Sequence, residues 1–364
     1  MINRKILIAT GGTGGHIFPA YSLAKFFSKK KYKVELTTDQ RGSKFLKDDL
    51  DLNITKIISS PLIKKNIFKL IISVFVIIFS IINSFLFLLF NRPSVIFGMG
   101  GYSSFPICVA AFFLRIKFVI YENNLIIGKA NKFLLPFSQK IFVSYKELEG
   151  IPENYKDKVT EIGNIVREEI INFNKNSQDL KSLDKIKILV LGGSQAAKIF
   201  AERLPKIFRN LKESGLPIKV FQQCQKNQNE QLLKFYKDNK MDFEIFNFTD
   251  KILNYYTKAN LVITRSGASV LGELINVKIP FICIPLPTSA DNHQFKNAEF
   301  YLKKGYGYLL EEKDIENKLN NLINSLFVEK SPIKTIISNQ RQYSDKNVFS
   351  NLNIQIEKIL NEKN

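Results

Sequence analysis

The same short pattern opens both halves of this 364-residue chain. In the first half, the apolar run 5–9 leads into residues 11–16, with the sequence GGTGGH. In the second half, the apolar run 187–191 leads into residues 192–195, with the sequence GGSQ. A short β-branched run, a glycine turn and a helix-forming segment are typical of the first strand and helix of a parallel sheet. We therefore predict the α/β class, with two Rossmann-like domains built on parallel sheets.

Further strand candidates follow each opening, and the stretches between them are long enough for crossover helices. The candidates are 33–37, 54–58, 95–97, 118–120 and 140–143, then 218–222, 243–246, 261–264 and 281–284. We place one domain at 1–163, a second at 164–345, and a C-terminal helix at 346–364 that packs back on the first domain. Two such domains facing each other would leave a central cleft at the carboxyl ends of their strands, where ligands bind.

The formal net charge of +20 favours a polyanionic partner: nucleic acid, an anionic membrane or a phosphorylated ligand. Lysine and arginine are spread along the chain without a recognised nucleic-acid motif, so we expect no nucleic-acid partner. Cys108, Cys224 and Cys283 lie far apart in apolar stretches, which predicts buried, reduced thiols. The first apolar run is too short for a signal peptide, so the expected compartment is the cytoplasm.

The glycine loop at 11–16 is the strongest local feature. Glycines allow positive φ and close backbone approach, and the helix that follows offers free N–H groups to an anion. The loop is not a Walker A motif, and a tight turn without a ligand is the alternative. His16 is one of two histidines, with His293. It could be a general base, a phosphate contact or a packing residue.

Two segments of the second half also follow predicted strands. In 264–273, a small-residue turn precedes a helix whose start could hold a pyrophosphate without a metal, and Glu273 could accept the hydroxyls of a ribose. Alternatively Ser266 is a plain helix cap and Glu273 a solvated residue. The polar residues within 285–298 could bind a sugar ring, or form an ordinary loop.

Seven short motifs along the chain, taken in order, resemble those of the MurG family, the UDP-N-acetylglucosamine:N-acetylmuramyl-(pentapeptide) pyrophosphoryl-undecaprenol N-acetylglucosaminyltransferases. They are residues 11–16 (GGTGGH), 100–106 (GGYSSFP), 122–124 (ENN) with Gly128, Asn131 and Lys132, Gly163 and Asn164 with Val166 and Arg167, 192–195 (GGSQ), 265–268 (RSGA) with Glu273, and Asp291 with Gln294, Asn297 and Ala298. The match runs from residue 5 to about residue 310.

This resemblance implies a GT-B fold and an inverting transfer that needs no essential bound metal; we expect no cofactor. The implied partners are UDP-N-acetylglucosamine and a lipid-linked muramyl pentapeptide, in peptidoglycan biosynthesis and hence in cell shape and division. The implied donor site contains Thr13, Gly14, Gly15, Asn124, Arg167, Ser194, Thr249, Ala268, Ser269, Val270, Leu271, Gly272, Glu273 and Gln294. The pyrophosphate of the acceptor would face Gly12, Gly100, Gly101 and Tyr102.

In the implied reaction, the 4-hydroxyl of the muramic acid displaces UDP from the anomeric carbon. We expect His16 to be the base, with Glu122 as the second candidate. Charge on the leaving UDP would be stabilised by the helix start near Ser266, by Arg167 and by Ser194. A glycosyltransferase of the same fold acting on another lipid, such as diacylglycerol, is the alternative.

Four positions depart from the family pattern. Ile165 stands where proline is usual, which would loosen the hinge, and Ala196 replaces a glycine near the expected phosphate. Asn123 and His293 each replace a usual glutamine. The pair Asp49 and Asp51 spells D-x-D, but no strand end or glycine turn presents it to a metal, so we interpret it as solvated.

The segment from Leu70 to Phe90 has 21 residues without a charge, long enough to span a membrane. It lies between two predicted strands of one sheet, and its serines fall on one helical face. We therefore predict a helix packed on the sheet, with an apolar flank on the anionic cytoplasmic face of the inner membrane and with Lys64, Lys65, Lys69 and Arg92 at its ends. A wholly buried helix and a membrane-spanning helix are the alternatives.

Overall fold

The computed structural model describes residues 4–12, 14–46, 52–59, 66–173, 185–193 and 198–362. Thr13, Ser194, Ala196 and the D-x-D pair at 49–51 lie outside the described residues, as do Lys64 and Lys65. The chain divides into two compact units, Met1–Glu168 with Asp345–Asn364, and Glu169–Ser344. This division falls five residues after the boundary at 163/164 that we placed from the sequence.

The first unit is a parallel sheet with helices. Its strands are β1 (Lys5–Ala9), β2 (Lys33–Thr38), β3 (Asn53–Lys56), β4 (Val95–Gly98), β5 (Phe118–Glu122), β6 (Ile141–Val143) and β7 (Val159–Glu161). Its helices are α1 (Gly14–Lys29), α2 (Ile67–Phe90), α3 (Gly101–Phe113), α4 (Lys129–Leu134) and α13 (Val348–Asn361), and α5 (Glu168–Ile171) lies at the boundary.

The strands of the described part of this sheet are ordered β3-β2-β1-β4-β5-β6-β7, and every pair is parallel. The order reverses between β1 and β4. A reversal of this kind opens a crevice at the carboxyl ends of the two strands, because the connections on its two sides leave toward opposite faces. The glycine turns after β1 and β4 therefore flank the position where an open α/β sheet binds its ligands.

The second unit repeats this arrangement. Its strands are β8 (Ile186–Leu191), β9 (Ile218–Gln223), β10 (Asp242–Phe246), β11 (Leu261–Thr264), β12 (Phe281–Cys283) and β13 (Tyr308–Leu309). Its helices are α6 (Lys198–Glu213), α7 (Asn229–Asp238), α8 (Leu253–Lys258), α9 (Ala268–Val277), α10 (His293–Lys303), α11 (Ile315–Glu329) and α12 (Ser331–Arg341). Among the described residues the parallel order is β10-β9-β8-β11-β12-β13, which reverses between β8 and β11.

Continuous burial explains why the central strands are easy to recognise in the sequence. Ile6, Leu7 and Ile8 in β1 are fully buried, as are Leu189 and Val190 in β8, because helices cover both faces of each sheet. The predicted α/β class with two Rossmann-like domains is confirmed. All nine further strand candidates are present within two residues of their predicted ends. The edge strands β7 and β13 were not predicted, because they have only three and two residues and none of these is buried.

The long apolar helix α2 faces the protein with its polar side. Its buried residues are Ser73, Ser80, Ser84 and Leu88. The hydroxyls of Ser73 and Ser80 donate to the carbonyls of Leu70 and Val76 in the same helix, so they enter the interface already hydrogen-bonded. Leu88 belongs to the buried cluster formed by strands of the first sheet, so the carboxyl end of α2 packs there as predicted, while the main neighbour of the helix is α3. Small residues on both helices allow this close packing.

The end of the chain belongs to the first unit. Phe349 of α13 stacks on Phe26 of α1 with ring centroids 5.0 Å apart, and Lys117 donates to the carbonyls of Ile359 and Glu362 at the end of α13.

The three cysteines are buried and form no disulfide, as predicted. Burial raises the pKa of Cys108 and of Cys283 to about 12.

Candidate active site

The glycine turns of the first unit are joined by a carboxylate, Asp39, which follows β2. Its Oδ1 accepts from the backbone N–H groups of Gly12, at 3.0 Å, and Gly42, at 2.7 Å. Its Oδ2 accepts from the hydroxyls of Tyr102, at 3.0 Å, and Ser103, at 3.1 Å. The side chain is only 5% exposed, so these donors replace water around the charge. Asp39 thus fixes the turn after β1 against the start of α3.

His16, in the first turn of α1, lies beside the second glycine turn. Its Nδ1 is 2.9 Å from the carbonyl oxygen of Met99, and since a carbonyl only accepts, Nδ1 must carry the proton. In the neutral ring Nε2 is then the accepting nitrogen. A Cβ placed on Gly101 would lie 3.6 Å from Nε2, and one on Gly100 would lie 3.4 Å from Cε1. Both glycines have positive φ, a backbone conformation that would be strained in most other residues. Glycine therefore suits this turn, which lies against the imidazole.

Glu122, at the end of β5, is buried and holds the loop that follows it. Its Oε1 accepts from the backbone and side-chain nitrogens of Asn124, at 3.1 and 2.9 Å. Its Oε2 accepts from the Gly128 backbone at 2.9 Å and from Asn131 Nδ2 at 3.0 Å. The same Asn131 nitrogen also donates to the Tyr121 carbonyl. The carboxylate therefore has four protein donors and shapes the loop that presents Asn124.

The segment 163–167 is fastened to the first unit. The backbone N–H of Asn164 donates to Asp345 Oδ1 at 2.9 Å, and its side chain donates to Tyr145 and to Asp345 Oδ2. The N–H of Ile165 donates to the Tyr121 hydroxyl at 3.1 Å, a bond that a proline at this position could not form. The expected loosening of the hinge at Ile165 is thus offset within this unit by an added hydrogen bond. Arg167 lies over the ring of Phe18, 5.7 Å from its centroid.

In the second unit, the turns after β8 and β11 flank the reversal of strand order. Gly193 has φ +76°, and none of the described residues lies within 4 Å of the position that a Cβ would take there. The helix α9 begins at Ala268, and its N-cap residue, Gly267, has no side chain to cap the first N–H groups. Ala268, Ser269, Val270, Leu271 and Gly272 form this first part of α9. Such a helix start favours an anion, because its N–H groups and dipole are positive.

Arg265 lies in this turn but is directed into the protein. Its guanidinium donates to the carbonyls of Ile284 and Pro285, pairs with Glu312, and lies 4.8 Å from the Phe200 ring centroid. It therefore joins the ends of β11 and β12 rather than presenting its charge to solvent. Glu273 is held in place by Tyr256, whose buried hydroxyl donates to Oε2 at 2.8 Å.

The third segment adjoins the same turn. Asn297, fully buried in α10, donates to the Ser266 carbonyl at 3.1 Å, which ties α10 to the start of α9. Gln294 Oε1 accepts from the Leu286 backbone at 3.0 Å. Asp291 and Asn292 both have positive φ, so the loop before α10 turns sharply at non-glycine residues. Thr249 follows β10, two strands away from β8, at the same edge of the sheet.

Among the described residues, the structure thus groups the predicted motifs of each unit at the carboxyl edge of its sheet. Sequence reasoning missed Asp39 and Tyr256, whose functions depend on partners far away in the chain. Asp39 gave one usable signal, since it follows a predicted strand at the ligand-binding edge. Tyr256 gave none, because it lies within a short helix whose position only the fold defines.

Comparison with known proteins agrees with this geometry. The profile of the glycosyltransferase family 28 N-terminal domain matches residues 6–143, and that of the family 28 C-terminal domain matches residues 187–352. The UDP-N-acetylglucosamine--N-acetylmuramyl-(pentapeptide) pyrophosphoryl-undecaprenol N-acetylglucosamine transferase of Pelagibacter ubique (strain HTCC1062) is 38% identical over 364 residues, which cover 99% of this chain and 100% of the relative. The protein of the same name from Rickettsia felis (strain ATCC VR-1525 / URRWXCal2) is 37% identical over 337 residues, covering 88% and 91%.

A solved structure has the same fold. The crystal structure of Acinetobacter baumannii MurG matches with a TM-score of 0.78 and 23% sequence identity, covering 98% of this chain and 99% of that one. At this identity the likeness concerns the fold, and it confirms the GT-B fold that the sequence motifs implied.

Proposed function

This chain belongs to glycosyltransferase family 28, in the MurG family, and from that premise we propose that it transfers N-acetylglucosamine from UDP-N-acetylglucosamine to a lipid-linked N-acetylmuramyl pentapeptide. The acceptor is the 4-hydroxyl of the muramic acid, and the product is the disaccharide lipid of peptidoglycan biosynthesis. The observation that carries this proposal is the position of His16 beside Gly100 and Gly101, where the strand order of the first sheet reverses.

His16 is the base in the proposed reaction. Its Nε2 takes the proton of the 4-hydroxyl while that oxygen forms a bond to the anomeric carbon. The bond from this carbon to the phosphate oxygen of UDP breaks, UDP leaves with the electron pair, and the configuration inverts. The hydrogen bond from Nδ1 to the Met99 carbonyl holds the ring in the tautomer that this step requires, and it stabilises the imidazolium that forms.

Glu122 has a positioning role in this proposal. Its four hydrogen bonds occupy both oxygens and fix the loop that carries Asn124. A base must offer a lone pair to the proton it removes, and a carboxylate that already accepts four protein donors is poorly suited to that step. We therefore assign Asn124, together with Thr13, Gly14 and Gly15, to the sugar donor, and Glu122 to the support of Asn124.

The second unit binds the nucleotide in this proposal. The N–H groups in the first turn of α9, which begins at Ala268, donate hydrogen bonds to the diphosphate, and Glu273 accepts hydrogen bonds from the hydroxyls of the ribose. Charge that builds on the leaving phosphates is stabilised by this helix start, by Ser194 and by Arg167. Gln294 contacts the sugar, and the backbone of Thr249 contacts the uracil.

The acceptor is a lipid, and α2 supplies a membrane-docking surface in this proposal. The described residues contain one helix long and apolar enough to cross a membrane, α2, judged by length and composition. It connects β3 and β4, which lie in the same sheet. A 24-residue helix is about 36 Å long, so spanning a bilayer would put these strands on opposite sides. We therefore infer that α2 lies on the membrane.

The exposed side chains of α2 support this orientation. Phe68, Phe75 and Phe79 are 73%, 67% and 54% exposed. An exposed apolar patch of this kind is typical of a surface that contacts a membrane or another protein. At the carboxyl end of α2, Arg92 and Arg115 border a pocket shared with Arg4 and Lys117. These cations suit an anionic bilayer, at about 1 kcal/mol for each basic residue near its surface. The resulting location is the cytoplasmic face of the inner membrane.

The test is incubation with labelled UDP-N-acetylglucosamine and the lipid-linked muramyl pentapeptide, with diacylglycerol in a parallel reaction. We expect a labelled disaccharide lipid from the first acceptor only. Product from diacylglycerol alone would assign the enzyme to another lipid pathway. No product with either acceptor, from an enzyme that binds UDP, would refute the proposed activity.

A further inference from the structure

We propose that Arg41 is the cationic contact for the pyrophosphate of the lipid-linked acceptor, with Asp39 as the residue that positions it. This inference rests on the proposed function and on the family resemblance, which implies that the acceptor pyrophosphate faces Gly12, Gly100, Gly101 and Tyr102. It adds a charged residue to a site that otherwise consists of glycine backbone and a phenol.

Arg41 is at the first glycine turn. Its Nη2 is the atom nearest to the position of a Cβ on Gly12, at 3.7 Å, followed by the Tyr102 hydroxyl at 3.9 Å. The guanidinium carbon lies 5.0 Å from the centroid of the Tyr102 ring. Two residues assigned to the acceptor pyrophosphate are therefore the immediate neighbours of this cation.

Asp39 contacts Gly12, Tyr102 and Arg41 and holds them together. It accepts from the Gly12 N–H and the Tyr102 hydroxyl, and its Oδ2 lies 3.8 Å from Arg41 Nε. The carboxylate is 5% exposed while the Arg41 side chain is 53% exposed, so one partner is anchored and the other reaches solvent. In the part of the chain that the structure describes, Arg41 donates no hydrogen bond to a protein acceptor, and its planar fork remains available to phosphate oxygens.

The charge balance of the site favours such a cation. A pyrophosphate diester carries about two negative charges, and its neighbours here include the buried negative charge of Asp39. Glycine N–H groups and the starts of α1 and α3 contribute only partial positive charge. Without a full positive charge between them, the carboxylate and the pyrophosphate would repel each other. Arg41 is in contact with the carboxylate and at the edge of the glycine turn, where it opposes that repulsion.

The first experiment measures the KM of each substrate for Arg41→Gln and Arg41→Lys. For Arg41→Gln we expect the KM for the lipid-linked acceptor to rise about tenfold, the size of one charge-assisted contact at a half-exposed site, with the KM for UDP-N-acetylglucosamine within about twofold of wild type. Arg41→Lys keeps the charge but loses the planar fork of donors, so its KM for the acceptor should lie between those of the wild type and Arg41→Gln. The control is Arg341→Gln, an exposed arginine of α12, which should change neither constant.

The second experiment separates binding from a structural effect. Two short-chain acceptor analogues, one with the pyrophosphate and one with an uncharged linker of equal length, are compared as competitive inhibitors. Arg41→Gln should weaken inhibition by the charged analogue about tenfold and leave the uncharged one unchanged. Equal weakening of both, or an unchanged acceptor KM in an active enzyme, would overturn this inference alone. A wild-type enzyme that makes no product from the lipid-linked acceptor would overturn the proposed function, and this inference with it.

Discussion

The Nδ1 atom of His16 donates to the carbonyl oxygen of Met99 across 2.9 Å, which joins the first turn of α1 to the end of β4. The two residues are far apart in sequence but lie on neighbouring strand connections, because β1 and β4 are paired. This hydrogen bond fixes both the ring plane and the tautomer of the imidazole. It therefore decides which nitrogen is basic on the side of Gly101.

Replacing His16 tests the proposed base directly. His16→Ala should lower kcat by about 10²- to 10⁴-fold, the usual contribution of a positioned general base. UDP binding, measured by calorimetry, should change little, since the proposed nucleotide contacts are in the second unit. His16→Gln serves as a near-isosteric control that lacks a base. Near-normal turnover of either variant would transfer the role of base to another group.

Glu122→Gln distinguishes a positioning carboxylate from a catalytic one. In glutamine an NH₂ group replaces one carboxylate oxygen, and it would face N–H donors without an acceptor between them. The variant should therefore lose about 1 to 3 kcal/mol of unfolding free energy. Chemical denaturation measures this loss, and Glu153→Gln, an exposed position of the same unit, should be neutral. A variant of unchanged stability with abolished turnover would instead favour Glu122 as a reacting group.

Tyr256→Phe probes the ribose contact without altering Glu273 itself. The change removes the hydroxyl that donates to Glu273 Oε2 and lets the carboxylate leave its position. The KM for UDP-N-acetylglucosamine should rise by about 2- to 10-fold, as expected for one hydrogen bond, while the acceptor KM stays constant. Tyr255→Phe is the matched control, because its hydroxyl donates to Glu244 instead. Equal effects of both changes would contradict a specific role of the Tyr256 bond.

The exposed face of α2 should determine membrane binding. Phe75→Ser with Phe79→Ser removes two large side chains that each contribute about 1.5 to 3 kcal/mol when they leave water. Flotation with anionic vesicles should show at least about tenfold weaker binding, and turnover of a soluble short-chain acceptor should persist. Val328→Ser removes an exposed apolar side chain of the second unit and should have no effect. Unchanged flotation of the double variant would place the docking surface elsewhere.

The buried ion pair of Lys5 and Glu35, beside Asn91 at the carboxyl end of α2, predicts that the stability of the fold falls in acid. Desolvation alone would raise the pKa of Glu35, but hydrogen bonds from Lys5, Thr55 and Asn91 lower it below its usual 4.5. The folded state then binds fewer protons than the unfolded chain, so the stabilisation is present above pH 4.5 and is lost as the pH falls through the lowered pKa. Glu35→Gln should cost about 1.5 to 3 kcal/mol at pH 7, and denaturation at decreasing pH should show the difference from wild type disappear.

Much of the fold was predictable because it is encoded locally. The runs at 5–9 and 187–191 are buried on both faces, so their composition alone indicates central parallel strands. Glycines with positive φ, such as Gly12 and Gly100, are also visible in the sequence, because few other residues tolerate these turns. A strand as short as β13, with two residues that are both only partly buried, carries no such signal.

The sequence by itself therefore determined the two parallel sheets, the glycine turns at their carboxyl edges and the apolar character of α2. Only the tertiary structure decided that Asp39 joins two glycine turns, that the serine face of α2 packs on α3, and that Arg265 is directed inward. Local patterns are set by the burial and backbone geometry of neighbouring residues. The partner of a polar side chain is set by which strand connections meet at a sheet edge, and that depends on the strand order of the whole unit.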